Sequence, residues 1–294
     1  MKDTTKAHIA ALLGNFFFGA AIVAIKHLIP KVMPSLALNV LRVGIALILF
    51  WVLYLFNPGK ASIQKKHIPL FLLCGCTGVA INQILFIKGT ALTSGIHASL
   101  LGLCTPIAIT IIAAWLLKVK ITTNKLIGLL LGVGGAATLV LVKTQTNAES
   151  DAFGDILIIL NAFSYAFYLV LVAPLMQSYK PIHVIRWVFL IGSLIIIPIG
   201  FHDFTQIHWE FFNWTHWVAL AFVVFGATFS AYLLIVYAIG KLGAPKVGTY
   251  IYTQPVFATI TSMLLYNEQL TYIKIIAAFF IFSGVFMVNR KNSE

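Results

Sequence analysis

The sequence predicts an all-α integral membrane protein: ten transmembrane helices in two inverted five-helix repeats, with both termini in the cytoplasm. Three observations carry that prediction. Hydrophobic residues fill 60% of the 294 positions and charged residues only 10%, so lipid rather than water is the solvent for most of the chain. Apolar runs of roughly 18 to 22 residues, enough helix to cross about 30 Å of hydrocarbon, recur between short polar breaks. Two stretches, Ile84 to Thr122 and Leu233 to Thr271, also repeat one another at a constant offset of 149 residues, aligning Leu85 with Leu234, Pro106 with Pro255 and, further on, Gly135 with Gly284.

The runs place helices at 7–26, 36–56, 68–88, 94–117, 125–142, 154–174, 183–201, 216–239, 245–266 and 272–289. They are continuous and rich in Leu, Ile, Gly and Ala, whereas a transmembrane barrel needs shorter segments of two-residue alternation. The net charge of +12 sorts by side: with the N-terminus inside, thirteen basic residues fall on inner segments and five on outer ends. That satisfies the positive-inside rule, and without a basic arm or stripe it argues against nucleic-acid binding. Five helices per half is an odd number, so residues 1–147 and 148–294 enter the membrane from opposite sides, joined through the polar linker Lys143 to Asp155. Keeping the first apolar run preserves this balance, which argues against a cleaved signal peptide.

A polar group in lipid costs several kcal/mol unless satisfied, so polar positions within helices should face the bundle interior or a wet cavity. In the first helix Asn15 matches Asn161 of the sixth at an offset of 146, with Phe17 matching Phe163 and Ala20 matching Ala166. Arg42 stands about two turns into the second helix and Arg186 about one turn into the seventh. At those depths both read as interfacial or gating groups, which disfavours a phosphate-bearing solute. The third helix carries Asn82 and Gln83, and Gln83 matches Tyr232 of the eighth. Cys74, Cys76 and Cys104 all fall inside helices and are odd in number, so free thiols are expected.

The fourth helix sets His97 and Thr105 near one face, and the ninth sets Tyr250, Thr253 and Gln254 near the equivalent face. Pro106 and Pro255 each lack an amide hydrogen and collide with the carbonyl four residues back, on Gly102 and Ile251, so a kink and a freed acceptor are expected in both helices. In the fifth helix Gly128 and Gly132 form a small-xxx-small pair suited to close helix contact, including a homodimer. The segment Phe201 to Trp217 contains His202, Asp203, His208, Glu210 and His216 but no metal-ligand spacing. Its interleaved Phe and Trp suit the outer membrane surface, and no cofactor or metal is expected.

One pattern goes further than periodicity. Ala-Leu-x-x-Gly is followed by an apolar stretch with a mid-helix proline, then by Leu-x-x-x-Glu-x-Leu-Thr and a glycine-bearing final helix. The second copy, YAIGKLGAPKVGTYIYTQPVFATITSMLLYNEQLT, ends ahead of Gly284. With Lys26 near the end of the first helix and Arg42 in the second, this resembles the EamA-like branch of the drug/metabolite transporter superfamily. The resemblance implies ten helices, a central cavity and movement of small organic solutes, commonly outward. The first repeat departs from it in having Val119, between Lys118 and Lys120, where the second has Glu268.

Inverted repeats are the recurrent plan of secondary transporters. The sequence therefore points to a plasma-membrane carrier of a zwitterionic or neutral, amino-acid-like metabolite, working by alternating access and probing its solute with Asn15, Asn82, Gln83, His97, Thr105, Asn161, Tyr232, Tyr250, Thr253 and Gln254. A channel or receptor built on the same bundle is the alternative. The absence of HExxH, GxSxG or paired carboxylates within the spans argues against an intramembrane enzyme.

Overall fold

A computed structural model describes residues 3–56, 63–118, 123–141, 152–243, 247–267 and 269–289. Every element among them is helical. In chain order α1 is Asp3–Leu28, α2 Ser35–Phe56, α3 Lys65–Leu92, α4 Gly95–Leu116, α5 Thr123–Leu141, α6 Ala152–Ser178, α7 Pro181–Thr205, α8 Trp214–Leu242, α9 Thr249–Tyr266 and α10 Tyr272–Asn289. Seven of them, α1 to α4 and α6 to α8, are long and apolar enough to cross a membrane. The helices α5 and α10 hold shorter apolar stretches, Leu126–Thr138 and Tyr272–Gly284.

Local chemistry sets the ends. Ser94 caps α4 by accepting the His97 N–H at 3.2 Å, and Asn213 forms a capping box with His216 at the start of α8, each satisfying amides that an isolated helix leaves open. Pro181 opens α7, where its missing N–H costs nothing. Large apolar side chains such as Ile48, Leu194, Leu264 and Phe279 stand outward at 50% exposure or more. In water such a surface would aggregate; against acyl chains it is the expected boundary.

The two halves interlock rather than sit side by side. The first helix of each half packs on the third and fourth of the other: α1 on α8 and α9, α6 on α3 and α4. The pairs α2·α7 and α5·α10 close the remaining sides. Small residues permit the close approaches. A Cβ added to Gly284 would lie 2.5 Å from the Gly128 carbonyl oxygen and 2.6 Å from the Gly132 nitrogen, so the glycine pair of α5 is engaged by α10 of the same chain. A Cβ on Gly19 of α1 would lie 2.6 Å from the Gln254 carbonyl.

Several backbone features recur 149 residues apart. The left-handed residues Lys118 and Asn267, with φ of 53° and 51°, end α4 and α9. The π-helical segment Cys76–Ala80 of α3 has its counterpart within Phe222–Ser230 of α8. Both prolines are accommodated by restarting the helix, not by bending a continuous one. In α4, Gly95–Gly102 ends, Leu103 intervenes and a new α-helix begins at Cys104; in α9 the 3-10 stretch Thr249–Thr253 gives way to α-helix at Gln254. Each proline thus occupies a first turn, where it breaks no ladder. The Ile251 carbonyl, expected to be freed, accepts the Gln254 N–H in the tightened 3-10 turn.

Candidate functional site

A cavity of about 100 Å³ lies where the halves meet, walled by residues of α1, α2, α3, α4, α6, α8 and α9. A second, of about 220 Å³, adjoins it through shared walls at Phe18, Tyr165 and Ile251 and extends towards Val247 and Gly248 at the start of α9. Six of the ten residues singled out in the sequence gather around the first cavity: Asn82, Gln83, Thr105, Asn161, Tyr232 and Gln254. Asn15 and Pro106 line the second.

Hydrogen bonds tie this set across the two halves. The Gln83 Nε2–H donates to the Tyr232 hydroxyl at 2.8 Å across a separation of 149 residues, so the two repeat-matched positions touch. The Gln254 Nε2–H donates to Asn15 Oδ1 at 2.6 Å, and the Asn161 Nδ2–H donates to the Asn82 carbonyl at 2.9 Å. Aromatic contacts continue the link, with Phe18 and Tyr232 edge to face at 5.5 Å between centroids.

Three predicted positions fall elsewhere. Tyr250 pairs its hydroxyl with His8 Nδ1 at 2.6 Å, at the end of the bundle where α1 begins. Thr253 turns back to the Tyr250 carbonyl at 2.7 Å. His97 meets Asp155 at 3.2 Å, and Asp155 also accepts from the Thr93 hydroxyl. The Thr93 carbonyl accepts from Lys26 Nζ at 2.8 Å, so α1, the α3–α4 junction and α6 are linked at the far end of α1. The sequence read Asp155 as part of an outer linker, but it is 1% exposed in the first turn of α6. Its signal was the run of polar partners near the same predicted face of the membrane.

Arg42, read from the sequence as an interfacial or gating group, belongs to the site. It lies two turns into α2 as expected, but its side chain forms part of the cavity wall and is 4% exposed. Ser99 and Tyr165 also line that wall; neither sits in a motif that marks it. Arg186, by contrast, lies against the rings of Tyr54, Trp51 and Trp187, with its guanidinium carbon 3.5, 4.8 and 5.6 Å from their centroids. Among the described residues no group of three or more His, Cys, Asp or Glu side chains is placed to hold a metal. In the Phe201 to Trp217 segment His208 pairs with Glu210 at 3.1 Å, and His216 stacks near His27.

Comparison with known proteins adds the family. The model of the EamA-like transporter family matches residues 5–141 and again residues 152–290. The chain is 22% identical over 296 residues to "Uncharacterized transporter YetK" of Bacillus subtilis, covering 100% of this chain and 90% of that protein. It is 21% identical over 236 residues to the "Probable terminal-alkyne amino-acid exporter" of Streptantibioticus cattleyicolor, covering 78% and 75%. A solved crystal structure superposes with a TM-score of 0.66 at 16% identity, covering 97% of each chain, a likeness of fold alone.

Proposed function

Because this chain belongs to the EamA-like transporter family, we propose that it is a secondary carrier of a small, amino-acid-like metabolite, moving it outward across the plasma membrane by alternating access through the central cavity. It is a multi-pass membrane protein and a transporter, not an enzyme. One observation carries the mechanistic reading: polar side chains from both halves converge on a cavity, and one of the hydrogen bonds that cross it, Gln83 to Tyr232, joins repeat-matched residues. A site so shared can be opened to either side by exchanging the conformations of the halves. In this reading all ten helices cross the bilayer as two inverted repeats, both termini lie in the cytoplasm, and the cavity near Val247 faces inward while the Lys26–Thr93–Asp155–His97 cluster closes the outer end.

The amino-acid-like solute is supported by the cavity's amides and hydroxyls and by the printed name of the exporter relative. The test is uptake into vesicles holding the purified protein, with amino acids, amines and nucleosides as candidates. Saturable flux of one class, accelerated by the same solute on the opposite side, is expected, and Gln254→Ala should slow it by about tenfold through loss of the bond to Asn15. Flux that never saturates and shows no counter-exchange would point to the channel alternative. The orientation is checked separately: a reporter active only outside the cytoplasm should be silent when fused after Glu294, and activity there contradicts it.

A further inference from the structure

We propose that Arg42 is the docking group for a carboxylate on the transported solute. This rests on the carrier reading above and goes beyond it in naming the group that the solute must present. Among the described residues lining the first cavity, Arg42 is the one charged side chain, and no carboxylate stands with it. Its Nε donates to the Thr228 hydroxyl at 3.1 Å. Its Nη1 is buried with no hydrogen-bond partner.

Withholding a counter-charge from a buried cation costs several kcal/mol, and the fold does not recover that cost within the cavity. A solute anion would. A guanidinium carries a planar fork of N–H groups that matches the two oxygens of a carboxylate, and Arg42 brings that group to the cavity wall. A phosphate monoester, with about 1.5 to 2 negative charges near neutrality, would exceed the single positive charge available among these residues.

A second orphan in the same cavity narrows the solute further. The Gln83 Oε1 is also buried and without a partner, although its Nε2 is engaged by Tyr232. It can accept from an amino or hydroxyl group near the carboxylate. The adjoining cavity is walled by Ile109, Leu169, Ile235 and Ile239, which suits an apolar body. The set of groups is that of an α-amino or α-hydroxy acid with an apolar side chain.

Counterflow into vesicles carrying the full chain provides the test, comparing leucine and phenylalanine with leucinamide and phenylalaninamide, in which a neutral amide of nearly the same size replaces the carboxylate. The wild-type protein should favour each acid over its amide by at least about tenfold, 1.4 kcal/mol, and Arg42→Gln should bring that ratio close to one. Equal carriage of acids and amides, carriage of amines or nucleosides alone, or an unchanged ratio in Arg42→Gln overturns the proposal and leaves the carrier standing. If nothing exchanges, the carrier reading falls and the proposal with it.

A second measurement separates docking from a structural role. The Thr228 hydroxyl still donates to the Val223 carbonyl at 2.8 Å, so Arg42→Met leaves its O–H satisfied and releases only one lone pair. The solute-free Met variant should unfold at a higher temperature than wild type and should lose stabilisation by leucine or phenylalanine. A lower unfolding temperature would mark Arg42 as part of the scaffold and overturn the assignment.

Discussion

Arg42 and Arg186 are the same residue on matching helices of the two halves, α2 and α7, and those helices pack against each other. Both are buried, at 4% and 1% exposure. Their surroundings are opposed. Arg186 is enclosed by aromatic faces, the nearest 3.5 Å away, whose quadrupoles offset part of the charge. Arg42 lines a cavity, donates from Nε to one hydroxyl and has a buried Nη1 without a hydrogen bond. A buried cation faced by aromatic rings has part of its charge offset within the fold, whereas one lining a cavity, as proposed above for Arg42, would recover its desolvation cost from a solute.

The largest effect should come from breaking the enclosed member. Replacing Arg186 by Ala leaves three rings around a void, and unfolding of the purified protein in detergent should become easier by about 3 kcal/mol. Arg186→Lys keeps the charge but not the planar stack, so a loss of about 1 kcal/mol is expected. Should neither variant lower the unfolding temperature, the contrast between the two arginines loses its physical basis.

A smaller effect sharpens the other member. Thr228→Val removes the acceptor that holds the Arg42 Nε, and a stability loss of about 1 kcal/mol should follow. The preference for an acid over its amide should survive, because the unpartnered Nη1 remains. Loss of that preference in Thr228→Val would show that the hydroxyl, and not the Nη1, fixes the arginine for its solute.

The helices were legible in the sequence because span length follows directly from bilayer thickness. The run 94–117 became Gly95–Leu116, and 7–26 became Asp3–Leu28. Ten crossings were expected; among the described residues seven helices meet the length and hydropathy of a span. Depth along a helix was also readable, but rotation about its axis was not, and rotation is what separates Arg42 from Arg186. The same limit scattered the predicted face of α9, where Gln254 lines the cavity while Tyr250, one turn earlier, bonds to His8. A 3-10 stretch turns about 120° per residue in place of about 100°, so Thr249–Thr253 displaces the face that α-helical spacing predicts.

The π-helical segments left no sequence mark, since a wider turn needs no particular residue. The match of Gln83 with Tyr232 was visible as an alignment, yet only folding brings the two side chains together.

Distance measurements inherit a fixed zero from that contact. If the halves trade conformations about a two-fold axis, a pair of matched residues that touch must straddle the axis, and exchanging the halves maps the pair onto itself. The Gln83 to Tyr232 separation would then be the same whichever way the cavity opens. Lys26 to Thr93 at one end and His8 to Tyr250 at the other would lengthen and shorten in opposition around it. A spectroscopic label pair flanking the axis would calibrate the two that move.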